Sequence, residues 1–194
     1  MKKLISFVLA LMLFVPAIHA EKWTVDGAHS SVNFSVRHLV ISKTKGAFKD
    51  FTGDITFSEK DISHSSVNFT VQMASVDTEN KDRDDHLKSP DFFDVEKFPT
   101  MIFKSKKIIK GDGGKFQLVG DLTIRDATNE ITFECEFAGI AKDPWGNTKA
   151  GFSAETTINR QDFNVKWSKS LDGGGLVVGD DVQVNLEIEA NLVK

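Results

Sequence analysis

The chain has 194 residues, a formal net charge of −4 at pH 7, and a single cysteine, Cys135. This acidic balance argues against a nucleic-acid partner and against a basic membrane-docking patch, because both depend on an excess of positive charge. One cysteine excludes an internal disulfide, so the fold must be stabilised by its hydrophobic core.

The first twenty residues have the pattern of a secretory signal peptide. The start is basic, residues 4–15 are almost entirely apolar, and the segment ends on the small residue Ala20. The apolar run is shorter than the roughly 20 residues that a membrane span requires. We therefore expect export with cleavage after Ala20. No linker or repeat divides residues 21–194, which we expect to form one domain.

Apolar and polar residues alternate with a period of two along much of the remaining chain. Such alternation is typical of β-strands that turn one face to a core and the other to solvent. It predicts about eight to ten strands. The clearest segments are residues 32–37, 67–73, 131–137 and 182–189, with shorter ones at 54–57, 101–105, 116–122 and 150–158.

The segments between these strands predict tight antiparallel connections. Residues 111–114 (GDGG) supply positions for positive φ, and residues 143–146 (DPWG) have the preferences of a type I turn. We expect residues 172–175 (DGGG) to form a flexible tip before the last strand. Many antiparallel strands with one apolar face predict an all-β fold, an extended antiparallel barrel with its apolar side inward.

Phenylalanines occupy many of the inward positions, and the chain has no tyrosine. A barrel of about eight strands either fills with side chains or encloses one small ligand. An aromatic interior without phenol hydroxyls suits an apolar ligand, whereas a filled barrel would indicate a stress-response structural protein. The cavity-facing set predicted from strand phase is Phe34, Val36, Phe57, Phe69, Val71, Phe103, Leu118, Phe133, Phe137, Phe152, Ile158, Val184 and Leu186.

The charged stretch RDDHLKSPDFFD predicts a short helical segment around residues 81–93. Asp84 and Lys88 have the spacing of an exposed i,i+4 ion pair, so we expect replacement of Asp84 to matter little. The Ser-Pro pair that follows stops the helix. Phe92 and Phe93 then turn inward and form a plug at one end of the cavity.

The alternative for this stretch is a metal-dependent enzyme site. Its ligands would be Asp82, Asp84, Asp85 and His86, but the further ligands that a metal requires are not visible nearby. Cys135 is in phase with apolar neighbours, which indicates a buried side chain rather than a nucleophile. The residues therefore predict no catalytic group and no metal site.

Several motifs occur in a characteristic order along the chain: WTVD from residue 23, HSSVNF from 29, GAF from 46, SVDT from 75, RDDHLKSPDFFD from 83, GDLT from 120, DPWGNTKAGF from 143 and DF at 162. In this order they resemble the YceI-like polyisoprenoid-binding family, over essentially the whole of residues 21–194. Many members have glycine after the Asp-Phe pair, where this chain has Asn164. Asn tolerates positive φ, so we expect that turn to persist.

The resemblance implies an extended lipocalin-like barrel whose cavity holds a long isoprenoid chain, such as that of a quinone or a prenyl phosphate. It also implies a periplasmic protein with no catalysis and no cofactor besides the bound lipid. The expected partner is a polyisoprenoid lipid, with transient contact to membrane lipids. The oligomeric state is not implied.

Overall fold

The computed structural model describes residues 20–59, 61–170 and 176–194. The predicted signal peptide, apart from its last residue, lies outside these ranges, as does the glycine-rich tip at residues 172–175. Within the ranges, no helix is both long and apolar enough to cross a membrane.

The described ranges contain eleven β-strands in one antiparallel sheet, one α-helix and three short 3-10 helices. The 3-10 helices are Ile62–His64, Met73–Ser75 and Arg160–Phe163. The strands are β1 (Glu21–Val25), β2 (Ser31–His38), β3 (Ser42–Phe48), β4 (Phe51–Phe57), β5 (Ser66–Gln72), β6 (Val76–Asp77), β7 (Thr100–Lys110), β8 (Lys115–Ile124), β9 (Ala127–Lys142), β10 (Thr148–Asn159) and β11 (Val178–Leu192), and the helix is α1 (Lys81–Lys88).

The sheet closes on itself as an eight-stranded barrel. β1 continues into β2, β3 into β4 and β5 into β6 across short bends, so each of these pairs acts as one long strand. Every long strand pairs with its neighbours in sequence, and β11 closes the ring by pairing with both β1 and β2. The predicted antiparallel barrel and its short helix are confirmed.

Turns form where the sequence predicts them. Gly113 and Gly114 have φ values of 63° and 84° between β7 and β8. In the β9–β10 turn, the amide of Gly146 donates to the carbonyl oxygen of Asp143 at 3.0 Å, as the type I turn requires. Asn164 lies in the left-handed region at φ 60°, which confirms that asparagine supports the turn after the Asp-Phe pair.

The two ends of the barrel are closed differently. At the upper end, where β2 ends and β11 begins, α1, residues 89–98 and residues 160–170 cover the opening. Arg125, at the β8–β9 turn, holds this cover by donating from Nη1 to the carbonyl oxygen of Phe92 at 2.6 Å. The lower end, where β4 and β7 end, is filled by side chains. These are Trp23, Ile55, Phe57, Ala150 and Ala190.

Three glycines of the barrel lie under three phenylalanine rings. A Cβ at Gly46 would come within 2.4 Å of Phe34 Cζ. Gly53 has the same relation to Phe69, and Gly120 to Phe103, at 2.7 and 2.6 Å respectively. Each ring therefore lies along the barrel wall, over a position that has no side chain.

We predict that Gly120→Ala destabilises the barrel by about 1–3 kcal/mol, the usual cost of overpacking a core. Its Cβ would lie 2.4 Å from the carbonyl oxygen of Lys104 and 2.6 Å from Phe103 Cζ, so both backbone and ring would have to move. Urea denaturation measures the effect. Gly27→Ala is the matched control, because a Cβ there meets nothing within 4 Å. Equal unfolding midpoints for the two variants would contradict the prediction.

Candidate functional site

The barrel encloses a cavity of about 220 Å³ above its filled lower end. A void of this size is unusual, because native cores contain few voids larger than a water molecule. It disfavours the filled barrel considered from the sequence. Among the residues that the structure describes, five polar ones line the wall: Asn33, Ser65, Ser153, Thr156 and Arg160. The apolar lining residues beyond those predicted from the sequence include Val32, Phe48, Ile55, Ile62, Val67, Met73, Leu87, Met101, Ile108, Phe116, Leu122, Ile124, Cys135, Phe163, Val165 and Ile188.

The two sides of the cavity differ in packing. On β7, β8 and β9 the inward side chains, such as Phe103, Leu118 and Phe133, are buried against one another. On β10 and β11 the inward side chains, such as Ile158 and Val184, keep part of their surface accessible although they line the cavity. The inward side chains of β10 and β11 are therefore less tightly packed around the cavity than those of β7, β8 and β9.

Twelve of the thirteen residues predicted from strand phase line this cavity, and so do the plug residues Phe92 and Phe93. Their contact with a ligand remains a prediction. Phe137 is the exception. Its ring packs 4.8 Å from Phe57 and 5.4 Å from Phe152, centroid to centroid, at the filled lower end. A register shift beside Gly151, in the β9–β10 pairing, accompanies this placement.

Several lining residues were not predicted from the sequence, for two reasons. Phe116, Leu122 and Ile124 share the phase of Leu118 on β8, so extending the alternation along that strand would have found them. Phe163 lies in a 3-10 helix, and Val165 follows it. Neither has a period-two signal, and only the fold brings them to the cavity.

Arg160 is a buried cation at the upper end of the cavity, with 5% of its surface exposed. Its Nη1 donates to the carbonyl oxygens of Val165 and Trp167 at 2.6 and 2.8 Å, and its Nε donates to that of Gly179 at 2.9 Å. Its Nη2 donates to Asp180 Oδ1 at 2.9 Å. Burial lowers the pKa of Arg160 and Asp180 opposes this effect. Every nitrogen of the guanidinium donates to a protein oxygen, so Arg160 holds the cover in place. Because these nitrogens are already bonded, the rest of the cavity wall offers mainly apolar contacts to a ligand.

The charged helix is anchored to the barrel by Asp84. Its Oδ1 accepts hydrogen bonds from the amide and hydroxyl of Thr78 at 2.8 and 2.5 Å, and Thr78 is buried. The predicted Asp84–Lys88 ion pair is therefore wrong, and the i,i+4 pair that forms is Lys81–Asp85. The pKa of Asp85 is lowered, and the largest cause is the hydrogen bond that Lys81 donates to it.

The residues of the metal hypothesis are held by different partners. Asp84 bonds to Thr78 and Asp85 to Lys81, while His86 Nε2 lies 3.0 Å from Asp91 Oδ2. The ring of His86 also packs edge-on against Phe92, with centroids 5.0 Å apart. The structure therefore does not bring the four predicted ligands together around one point.

Across residues 20–59, 61–170 and 176–194, one group of three potential ligand atoms lies within 4.8 Å, in Asp26, His29 and Glu189. Lys149 already neutralises it, because its Nζ lies 2.6 Å from Asp26 Oδ2 and 2.9 Å from Glu189 Oε1. The hydrogen bond from Lys149 holds the pKa of Asp26 well below its ordinary value, and the same contacts raise the pKa of Lys149. Asp26, His29 and Glu189 therefore form an ion-pair network with Lys149 beside β1.

Cys135 is buried among the cavity wall residues of β9. Burial raises the pKa of its thiol to about 12. A thiol with this pKa is protonated at neutral pH and is a poor nucleophile. Cys135 therefore acts as a small apolar side chain, as its strand phase predicts.

An antiparallel barrel with an enclosed apolar cavity defines a class of proteins that hold one apolar molecule inside a sheet. The model of the YceI-like domain matches residues 23–190. Protein YceI of Salmonella newport is 42% identical over 167 residues, covering 84% of this chain and 87% of that protein. The chain therefore belongs to the YceI-like family. The resemblance in the motifs is confirmed.

Solved structures agree with this assignment. The Campylobacter jejuni YceI protein superposes with a TM-score of 0.70 at 37% identity, covering 81% of this chain and 90% of that chain. A protein described as a polyisoprenoid binding domain from Saccharophagus degradans gives a TM-score of 0.66 at 11% identity, covering 88% and 98%. At that identity the likeness concerns the fold alone.

We predict that Asp84→Ala lowers the free energy of unfolding by about 1–3 kcal/mol, because it leaves the buried amide and hydroxyl of Thr78 without an acceptor. This replaces the expectation that Asp84 matters little. Asp85→Ala is the matched control on the same helix, since it removes only an exposed ion pair and should change little. Both are measured by urea denaturation. A loss as large for Asp85→Ala as for Asp84→Ala would argue against the Thr78 anchor.

Proposed function

We propose that this protein is a periplasmic carrier that binds the isoprenoid tail of a lipid, such as a quinone or a prenyl phosphate, inside its barrel. The observation that carries the proposal is the apolar cavity of about 220 Å³, whose one cation is already bonded to protein oxygens. Membership of the YceI-like family and the description of the Saccharophagus degradans homologue as a polyisoprenoid binding domain support it.

The apolar wall of the cavity provides a driving force for binding, because an apolar ligand that enters the cavity leaves water. A bound ligand also stabilises the folded state by mass action. The ligand need not be recognised by directional contacts, since apolar burial depends on area and shape.

The cavity volume limits how much of the isoprenoid tail can be enclosed. An apolar cavity of about 150 Å³ holds one benzene molecule, so the cavity here accommodates roughly one or two isoprene units as it stands. A longer tail requires the upper cover to move or the wall against β10 and β11 to expand. The plug residues Phe92 and Phe93 lie at the point where this movement would begin.

The competitor for the ligand is the lipid bilayer. Each buried CH₂ contributes about 0.8 kcal/mol relative to water, so a tail of several isoprene units would exceed the affinity ceiling of about 20 kcal/mol if water were the reference. A bilayer solvates the tail as well as the cavity does. The protein therefore exchanges isoprenoid lipid with membranes with little net preference for either.

Native mass spectrometry of protein purified from the periplasmic fraction tests the function and the location together. We expect a mature chain that begins at Glu21 and carries an isoprenoid lipid, and an apo form that takes up added polyprenyl lipid and unfolds at higher temperature when loaded. Ligand-free protein that takes up no polyprenyl lipid would exclude the proposed function. A chain that keeps residues 1–20, or is absent from the periplasm, would exclude the location.

We predict that Phe92→Ser speeds the loss of bound isoprenoid by roughly ten- to a hundredfold, because burying one phenyl ring is worth about 1.5–3 kcal/mol. Lipid retention per folded molecule is measured by native mass spectrometry over time. Phe92→Leu keeps an apolar plug and should retain the lipid. Glu96→Ser is the control in the same segment, since Glu96 is exposed and does not line the cavity. Equal retention in Phe92→Ser and Glu96→Ser would argue against the plug.

A further inference from the structure

The hairpin that joins β2 to β3 ends in three consecutive apolar residues, Leu39, Val40 and Ile41. Ile41 is 84% exposed and Val40 is 54% exposed. Leu39 and Val40 have positive φ values of 52° and 67°, a conformation that glycine or asparagine adopts more easily than a β-branched residue. Turn formation alone therefore does not account for these side chains. We call residues 39–41 the apolar tip.

Basic side chains surround the apolar tip. Arg37, Lys43 and Lys45 extend from β2 and β3, and all three are exposed. Lys166 and Lys169 are exposed on the neighbouring segment. No ion pair links any of these five to an acidic side chain in the part of the chain that the structure describes. Lys43 Nζ instead lies 2.6 Å from the amide oxygen of Gln183.

The apolar tip lies next to the upper end of the cavity. Val36 and Val178 both line the cavity, and Val178 pairs with His38 at the end of β2. The amide of Leu39 donates to the carbonyl oxygen of Val177 at 3.0 Å. One or two residues therefore separate the cavity wall from the exposed tip.

We propose that the apolar tip inserts into the surface of an anionic lipid bilayer, with Arg37, Lys43, Lys45, Lys166 and Lys169 on the lipid headgroups. Exposed aliphatic side chains bordered by cations are the combination that binds a membrane interface. The net charge of −4, which argues against a basic patch, is a property of the whole chain and does not fix the sign of the charge beside the tip, where the five exposed cations lie next to the exposed Asp181 of β11.

Docking in this way holds the upper end of the cavity against the membrane. This part of the inference rests on the proposed function, because it assigns the docked face to the exchange of isoprenoid between cavity and bilayer. Docking itself depends only on the tip and its basic border.

A second exposed apolar side chain provides the internal comparison. Trp145, in the β9–β10 turn at the lower end, is also 84% exposed. That end is filled by the cluster around Trp23, so a membrane bound there would have no access to the cavity. Trp145→Ser therefore removes an apolar side chain with the same exposed fraction as Ile41, but from the opposite end of the barrel.

Co-flotation with vesicles that contain phosphatidylglycerol tests the docking. We expect the parent protein to bind these vesicles, to bind phosphatidylcholine vesicles weakly, and to be released at high salt. The double variant Val40→Ser, Ile41→Ser and the double variant Lys43→Glu, Lys45→Glu should each lower binding about tenfold or more, and Trp145→Ser should leave it unchanged. Absence of binding by the parent protein, unchanged binding of both double variants, or an equal loss in Trp145→Ser would overturn the proposal.

A parallel measurement separates docking from cargo binding. The same proteins are loaded with farnesol from detergent micelles, without vesicles, and read by native mass spectrometry. The Val40→Ser, Ile41→Ser variant should load as the parent does, yet transfer farnesol from vesicles about tenfold more slowly. Failure of the parent to load would count against the proposed function, while the flotation result would still decide the docking. Loss of micelle loading in this variant would show that the tip belongs to the cavity and overturn its assignment as a docking element.

Discussion

The cavity depends on the packing of phenylalanine rings over glycine in the barrel wall. Gly46, Gly53 and Gly120 have no side chain, so the rings of Phe34, Phe69 and Phe103 lie along the sheet instead of reaching the barrel axis. A barrel of eight strands is otherwise narrow enough for its own side chains to fill it. The glycines thus decide whether the aromatic residues make a solid core or a hollow one.

The remaining contacts close this hollow and leave its wall mostly apolar. Trp23 and its neighbours fill the lower end with apolar side chains, whereas the upper end is covered by irregular segments that need hydrogen bonds. Arg125 and Arg160 supply those bonds by donating to backbone carbonyl oxygens of the cover. Because such bonds are directional and can be exchanged for bonds to water, the cover can open at less cost than the packed lower end.

Much of the fold could be predicted from the sequence, because period-two alternation marks strands such as β2, β9 and β11 directly. β3 escaped detection because its inward positions include Thr44 and Gly46, where a ring from β2 supplies the apolar surface. The Asp84–Thr78 anchor also escaped, since helical spacing suggested a partner on the same helix. Strand phase predicted most of the wall residues, but it could not predict whether the barrel contains a cavity. Its volume depends on ring orientations that only three-dimensional packing determines.

The closure of the barrel by β11 has a consequence for the order in which the chain folds. All other pairings of the long strands join neighbours in sequence, so hairpins can form early with little loss of loop entropy. β1 and β2 pair early with β4 and β3, but their other edge must wait for the last strand. Until β11 pairs with that edge, two sheet edges and the apolar inner face are exposed. The cavity can exist only after this final pairing, so its presence reports that the chain has completed its fold.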